Sequence, residues 1–289
     1  MKRSIGHLPR RAVLAAGAGG LVAACSRKGA APSAAAPPTT LEAAAAGPWR
    51  PPADRARDAW RHPAQSLAFW GLKPGMTVVE FWPGAGWYTD IIAPFLAATG
   101  GTLYAANIQP VSPAAQAVTQ AFQRRIKASP KLYGRVEFTA FGPNSGPAAP
   151  AGSCDLALFL RNLHDWMRGG MAEKAFHDAF LALKPGGALG VEAHRAPPGG
   201  VQDVLAANGY VQEAYVQQMA KEAGFAFEAA SEINANPKDG HDHPFGVWTL
   251  PPTLRTAPEG KPPDPKFDTR PYQAIGESDR MTLRFRKPL

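Results

Sequence analysis

Two rhythms of apolar residues alternate along this chain of 289 residues. Short runs rich in Val, Leu, Phe and Ala at 76–82, 102–107, 135–141, 154–161, 187–193, 225–233 and 281–287 read as strands. Between them, stretches at 88–98, 113–128, 170–183 and 211–223 carry apolar groups at the spacing of one helix face. A further helical pattern, "DRARDAWRHPAQSLAFWGL", precedes the first strand and is stopped by Gly71 and by Pro74-Gly75. Strands alternating with amphipathic helices predict an open, mostly parallel α/β sheet of Rossmann-like type, with helices on both faces. The last two strands are not separated by a convincing helix. Residues 234–278 contain too many prolines for a long helix and predict an ordered excursion over the surface. The seventh strand is then expected to run antiparallel beside the fifth.

The ends of the pattern define the domain. Residues 1–25 combine a basic head, a short apolar run and small residues before Cys25, which is the pattern of an export signal. Val22-Ala23-Ala24-Cys25 resembles a bacterial lipobox, so Cys25 is the expected lipidation site and its acyl chains would hold the protein on a membrane of the cell envelope, facing the periplasm. Arg10-Arg11 matches either a twin-arginine signal or a chance pair in a basic head. Residues 26–53 are rich in Ala and Pro with few large apolar groups and read as a flexible tether, which leaves 54–289 as the folded domain. Four positive charges of the formal +8 (Lys2, Arg3, Arg10 and Arg11) belong to the signal, and no basic block interleaved with aromatics follows. Nucleic-acid binding is therefore not expected, and a small-molecule ligand is. Cys154, in an apolar run, is the one thiol left after lipidation and reads as an inert buried residue.

Chemistry concentrates at strand ends. In "VVEFWPGAGWYT", Gly84 and Gly86 let the backbone turn sharply and a ligand approach it, while the helix that follows presents free N–H groups. A tight strand-to-helix turn without a ligand would use the same residues. With "SCDLALFLRNLHDW" and "ALKPGGALGVEAH", the segment resembles class I S-adenosylmethionine-dependent methyltransferases, over about residues 54–233 and the last strand. Taken whole, the chain is similar to a group of exported bacterial proteins described as methyltransferases. The resemblance implies S-adenosylmethionine as cofactor, with Glu80 beneath its methionine part and Gly84, Gly86, Asn107 and Asn162 around it. Two positions depart from the family pattern: Trp82 stands where glycine is usual, and Asn107 where a carboxylate grips the ribose. Trp82, Trp87 and Tyr88 are expected either to wall the pocket or to belong to the core.

"RNLHDW" resembles the Leu-His-Asp-Trp segment of small-molecule O-methyltransferases, which makes His164 the candidate general base and Asp165 its orienting carboxylate. Glu192 and His194, two apart on the fifth strand, share a face and point at the same crevice. His241 and His243 are either half of a metal site or part of a polar turn closing over the pocket. Three functions stand open on these residues: methyl transfer to a small hydroxylated acceptor, ligand binding without catalysis on the same fold, and metal-assisted hydrolysis. No resident metal is expected.

Overall fold

The computed structural model describes residues 37–109 and 112–289; the expected export signal, Cys25 and the start of the tether lie outside them. Seven strands form one sheet: β1 (Thr77–Phe81), β2 (Thr102–Ile108), β3 (Arg135–Phe141), β4 (Cys154–Leu160), β5 (Leu183–His194), β6 (Ala226–Ser231) and β7 (Arg280–Arg286). Their order is β3-β2-β1-β4-β5-β7-β6. β1 to β5 pair in parallel, and β7 runs antiparallel between β5 and β6. The sequence places β7 beside β5 and gives its direction; the long excursion at 234–278 is what returns the chain to that slot.

Period-two alternation divides the core. Val79, Phe81, Ala157, Phe159, Leu189 and Val191 face one layer with Trp166, Phe176 and Val216. Val78, Leu103, Leu156 and Leu158 face the other, covered by the helices Pro63–Trp70 and Thr89–Thr99. Trp70 lies so close on β5 that a Cβ at Gly190 would come 2.5 Å from its ring, which explains the glycine in the middle of a buried strand.

The tether is shorter than the composition suggests. Thr40 caps a helix at Leu41–Ala45, its Oγ1 accepting the Ala43 N–H at 3.1 Å, and Leu41, Ala44 and Ala45 are buried against the helix Thr89–Thr99. Arg50 is buried too and donates to both carboxylate oxygens of Asp58, at 2.6 and 2.7 Å. A segment too poor in large apolar groups to fold alone folds here because the domain supplies the surface it covers.

The excursion is held by buried polar groups. Asn236 Nδ2 donates to the Ile275 and Glu277 carbonyls at 3.0 and 2.7 Å, and Asp239 accepts from the Tyr210 hydroxyl and the Asp279 N–H. From β1 the chain proceeds outward to β2 and β3, and later returns to β4 on the other side. The carboxyl ends of β1 and β4 therefore bound the crevice where open α/β sheets receive ligands.

Candidate functional site

Backbone conformation marks both lips of that crevice. Trp82 after β1 has φ +49° and Arg161 after β4 has φ +66°, a left-handed region that residues other than glycine adopt uncommonly. Between β1 and its helix, Gly84 and Gly86 have φ +59° and +94°. A Cβ at Gly84 would meet nothing within 4 Å, so space lies open over it, whereas one at Gly86 would strike Arg125 and Phe122. Arg125 clamps the turn from outside, donating to the Ala85 carbonyl at 2.8 Å while Asp90 and Tyr133 hold its other nitrogen. Under the turn, Glu80 is 2% exposed and accepts the Thr89 hydroxyl at 2.6 Å. Burial pushes its pKa up to about 7, the Thr89 bond opposing and the Asp90 charge adding, with no cation paired to it among the described residues.

On the β2 side of the crevice Trp82 and Asn107 stand differently from the expectation. The Trp82 indole reaches across the end of β2 and donates from Nε1 to the Phe141 carbonyl of β3 at 2.9 Å, with Phe141 and Trp166 edge-on to its ring. Asn107 is buried and turns its amide back to the Ala105 carbonyl at 2.9 Å, not outward to a ribose. Asn162 bridges the crevice, donating to the Phe81 and Trp82 carbonyls at 3.2 and 3.0 Å.

On the β4 side His164 and His194 meet, their rings 5.1 Å apart, in a cavity of about 220 Å³. Arg57, Arg61, Arg161, Asp165, Trp248, Glu277 and Ser278 are among the residues that line it. His164 is 4% exposed; its Nε2 faces Asp165 Oδ2 at 3.5 Å and its Nδ1 has no partner among the described residues. Burial lowers its pKa, the Asp165 charge opposing and Arg168 adding, so the ring is neutral at neutral pH. His194 accepts or donates at Nδ1 to Ser278 Oγ at 2.5 Å, and burial, then His164 and Arg280, hold its pKa well below the ordinary imidazole value.

The remaining expected pocket residues stand elsewhere. Trp87 packs between the guanidinium groups of Arg50 and Arg61 and donates to the Asp54 carbonyl, a core position. Tyr88 is buried and donates to Glu192 at 2.8 Å, which leaves neither of them to wall a pocket. His243 is bound to Asp239 at 2.7 Å, and His241 lies 3.7 Å from Asp279 at a separate, roomier cavity of about 550 Å³. Its Arg195 is fully engaged by Glu232 and Asp279, whereas the smaller cavity is lined by His164 and Arg161, which keep unpartnered nitrogens among the described residues. The excursion reaches that smaller cavity through Trp248, Pro251 and Pro252 instead of its histidines. Among the described residues no group of three or more His, Cys, Asp or Glu side chains is placed to hold a metal. The sequence reading missed the arginines. Arg161 directly before "NLHDW", and Arg57 and Arg61 one helical turn apart, were the available signals.

No protein-family model matches the chain, and no curated protein matches it. Solved structures do. The [4+2]-cyclase SpnF matches at 18% identity over 80% of this chain and 81% of its own, with a TM-score of 0.50. A candidate methyltransferase from Bacillus halodurans C-125 matches at 15% identity over 79% of this chain and 100% of its own, TM-score 0.50. The complex of the Haloferax volcanii Trm112 methyltransferase activator with its candidate methyltransferase matches at 14% over 86% and 98%, TM-score 0.50. With the strand order and the reversed seventh strand, these likenesses show that the chain has the Rossmann-like fold of the class I methyltransferases.

Proposed function

We propose that the chain is a methyltransferase that moves a methyl group from S-adenosylmethionine to a small hydroxylated acceptor, anchored by lipid at Cys25 on the periplasmic side of the envelope like the exported proteins its sequence resembles. One observation carries the reading: an open glycine turn over a buried carboxyl group follows β1, and a neutral, part-unpartnered histidine follows β4, the strand paired beside it. The fold alone does not decide, since SpnF is a cyclase.

The residues fit the amino-acid end of the cofactor. Glu80 lacks the positive charge that an α-ammonium brings, and Gly84 leaves room above the backbone. The nucleoside end meets the Trp82 indole, so seating it requires that ring to turn off the β2 edge or to serve as its stacking face. When bound, the cofactor supplies an electrophilic methyl group. The chain's own part is alignment and proton removal. Nδ1 is buried without a partner among the described residues, so Nε2, 3.5 Å from Asp165 Oδ2 and not bonded to it, is the ring nitrogen left to take the proton of an acceptor hydroxyl. Its burial keeps bulk water from competing.

Calorimetry of the mature protein with S-adenosylhomocysteine tests this; the absence of both heat and a thermal shift at millimolar ligand refutes it. A second reading, a non-catalytic envelope ligand-binding protein, is favoured by the indole across the edge and by the inward Asn107. Ligand binding with no turnover in either wild type or His164→Ala selects it.

A further inference from the structure

Four guanidinium groups converge on one carboxylate beside His164. Glu277 accepts from Arg57 Nε at 2.9 Å, from Arg61 Nε at 2.8 and 3.0 Å, and from Arg280 Nη1 at 2.8 Å, with Arg161 Nη1 a further 3.8 Å away. Glu192 takes part of the Arg280 charge at 3.3 Å, and Asp165, with its side chain 44% exposed, is the remaining acid on the wall. The two histidines are neutral. Positive charge is therefore in excess.

Several donors in this cluster are idle. The Arg161 guanidinium forms no hydrogen bond among the described residues although its side chain is only 20% exposed, and its Nε and Nη1 are buried. Arg61 is 3% exposed with Nη1 buried and unpartnered. An arginine cannot shed its proton to escape such a position, and a buried donor without an acceptor is unfavourable even where, as for Arg61, the charge is paired with Glu277 and stacked on Trp87. Proteins leave buried donors idle where a ligand supplies the acceptors. The strained backbone at Arg161 aims this side chain from the end of β4 toward the same cavity that His164 lines.

We propose that this cavity binds an oxyanion, a carboxylate or phosphate group, between Arg161 and Arg61, and that this group is the anionic handle of the acceptor whose hydroxyl faces His164. The site stands on the idle guanidinium groups; calling its ligand the acceptor rests on the methyl-transfer reading. About 220 Å³ accommodates such a group with a small organic body, and Trp248, edge-on to His164, offers an apolar wall to that body.

Inorganic phosphate and acetate are the probes, measured by thermal shift and calorimetry on the mature protein against sodium chloride of equal ionic strength. Phosphate or acetate is expected to raise the melting temperature beyond the chloride control, and the stronger of the two identifies the handle. Arg161→Gln is expected to weaken that binding about tenfold or more, while the exposed Arg135→Gln leaves it intact. Circular dichroism confirms that Arg161→Gln is folded, and Arg161→Lys, which keeps charge but not the fork, is expected to fall between. No response beyond chloride, or an equal response in Arg161→Gln, overturns the proposal. S-adenosylhomocysteine binding is measured on the same samples. Anion binding without it sinks the methyl-transfer reading and leaves the site standing; the converse sinks the site alone.

Discussion

Replacing Glu80 by Gln asks whether the carboxyl group under the glycine turn is kept waiting for a cation. Burial raises its pKa from 4.5 to about 7, so the folded protein holds a proton there that the unfolded chain has already released between those two pH values. The stability contributed by protonated Glu80 is fully present below pH 4.5 and is lost as the pH rises through 7. Each tenfold in proton affinity is about 1.4 kcal/mol, so ionised Glu80 costs the empty protein about 3 kcal/mol at pH about 8.5. Gln keeps the Thr89 hydroxyl as donor to its Oε1 and removes the charge, at about 1 kcal/mol for its buried amide nitrogen. Urea unfolding is expected to show the variant more stable by about 2 kcal/mol at the higher pH, with the advantage gone near pH 5. Saturating S-adenosylhomocysteine, whose ammonium gives the carboxylate its partner, is expected to reverse the order. A difference between the two proteins that does not change with pH would refute the reasoning, since it would mean that Glu80 ionises at no cost.

His164→Ala is expected to keep cofactor binding and lose about a hundredfold or more in turnover. In the wild type, the acid limb of the pH–rate profile should lie below the ordinary imidazole value of about 6.5, following the lowered pKa of His164; a limb above it speaks against the neutral base. Trp82→Gly removes an indole held across the β2 edge but suits φ +49°. It should destabilise by about 2 kcal/mol and tighten adenosine binding in calorimetry, and weaker binding would show the ring to be a stacking face. Cys25→Ser should abolish incorporation of labelled fatty acid in a bacterial host, and retained label would place the anchor elsewhere.

Period-two and helical spacing are local properties, and they carried the sequence as far as seven strands, their covering helices and the reversed last strand. The Glu80–Gly86 turn and His164 were legible for the same reason: each sits at the end of a strand, and strand ends in such sheets share one edge. What the spacing could not reveal was side-chain direction. Whether Trp87 and Tyr88 wall a pocket or fill the core depends on neighbours distant in the chain, here Arg50, Arg61 and Glu192, and whether Asn107 looks outward is a choice of rotamer, taken here by the Ala105 carbonyl. Composition marked residues 26–53 as a tether because it registers only what a segment buries by itself, whereas the surface that Leu41 and Ala44 cover belongs to the helix at 89–99. The arginine cluster is the extreme case. Arg57, Arg61, Arg161 and Arg280 come from three separate parts of the chain, each ordinary where it stands, and only packing them around one carboxylate leaves donors without acceptors. An unpaired charge is a relation among groups in space, so the tertiary structure alone could create it.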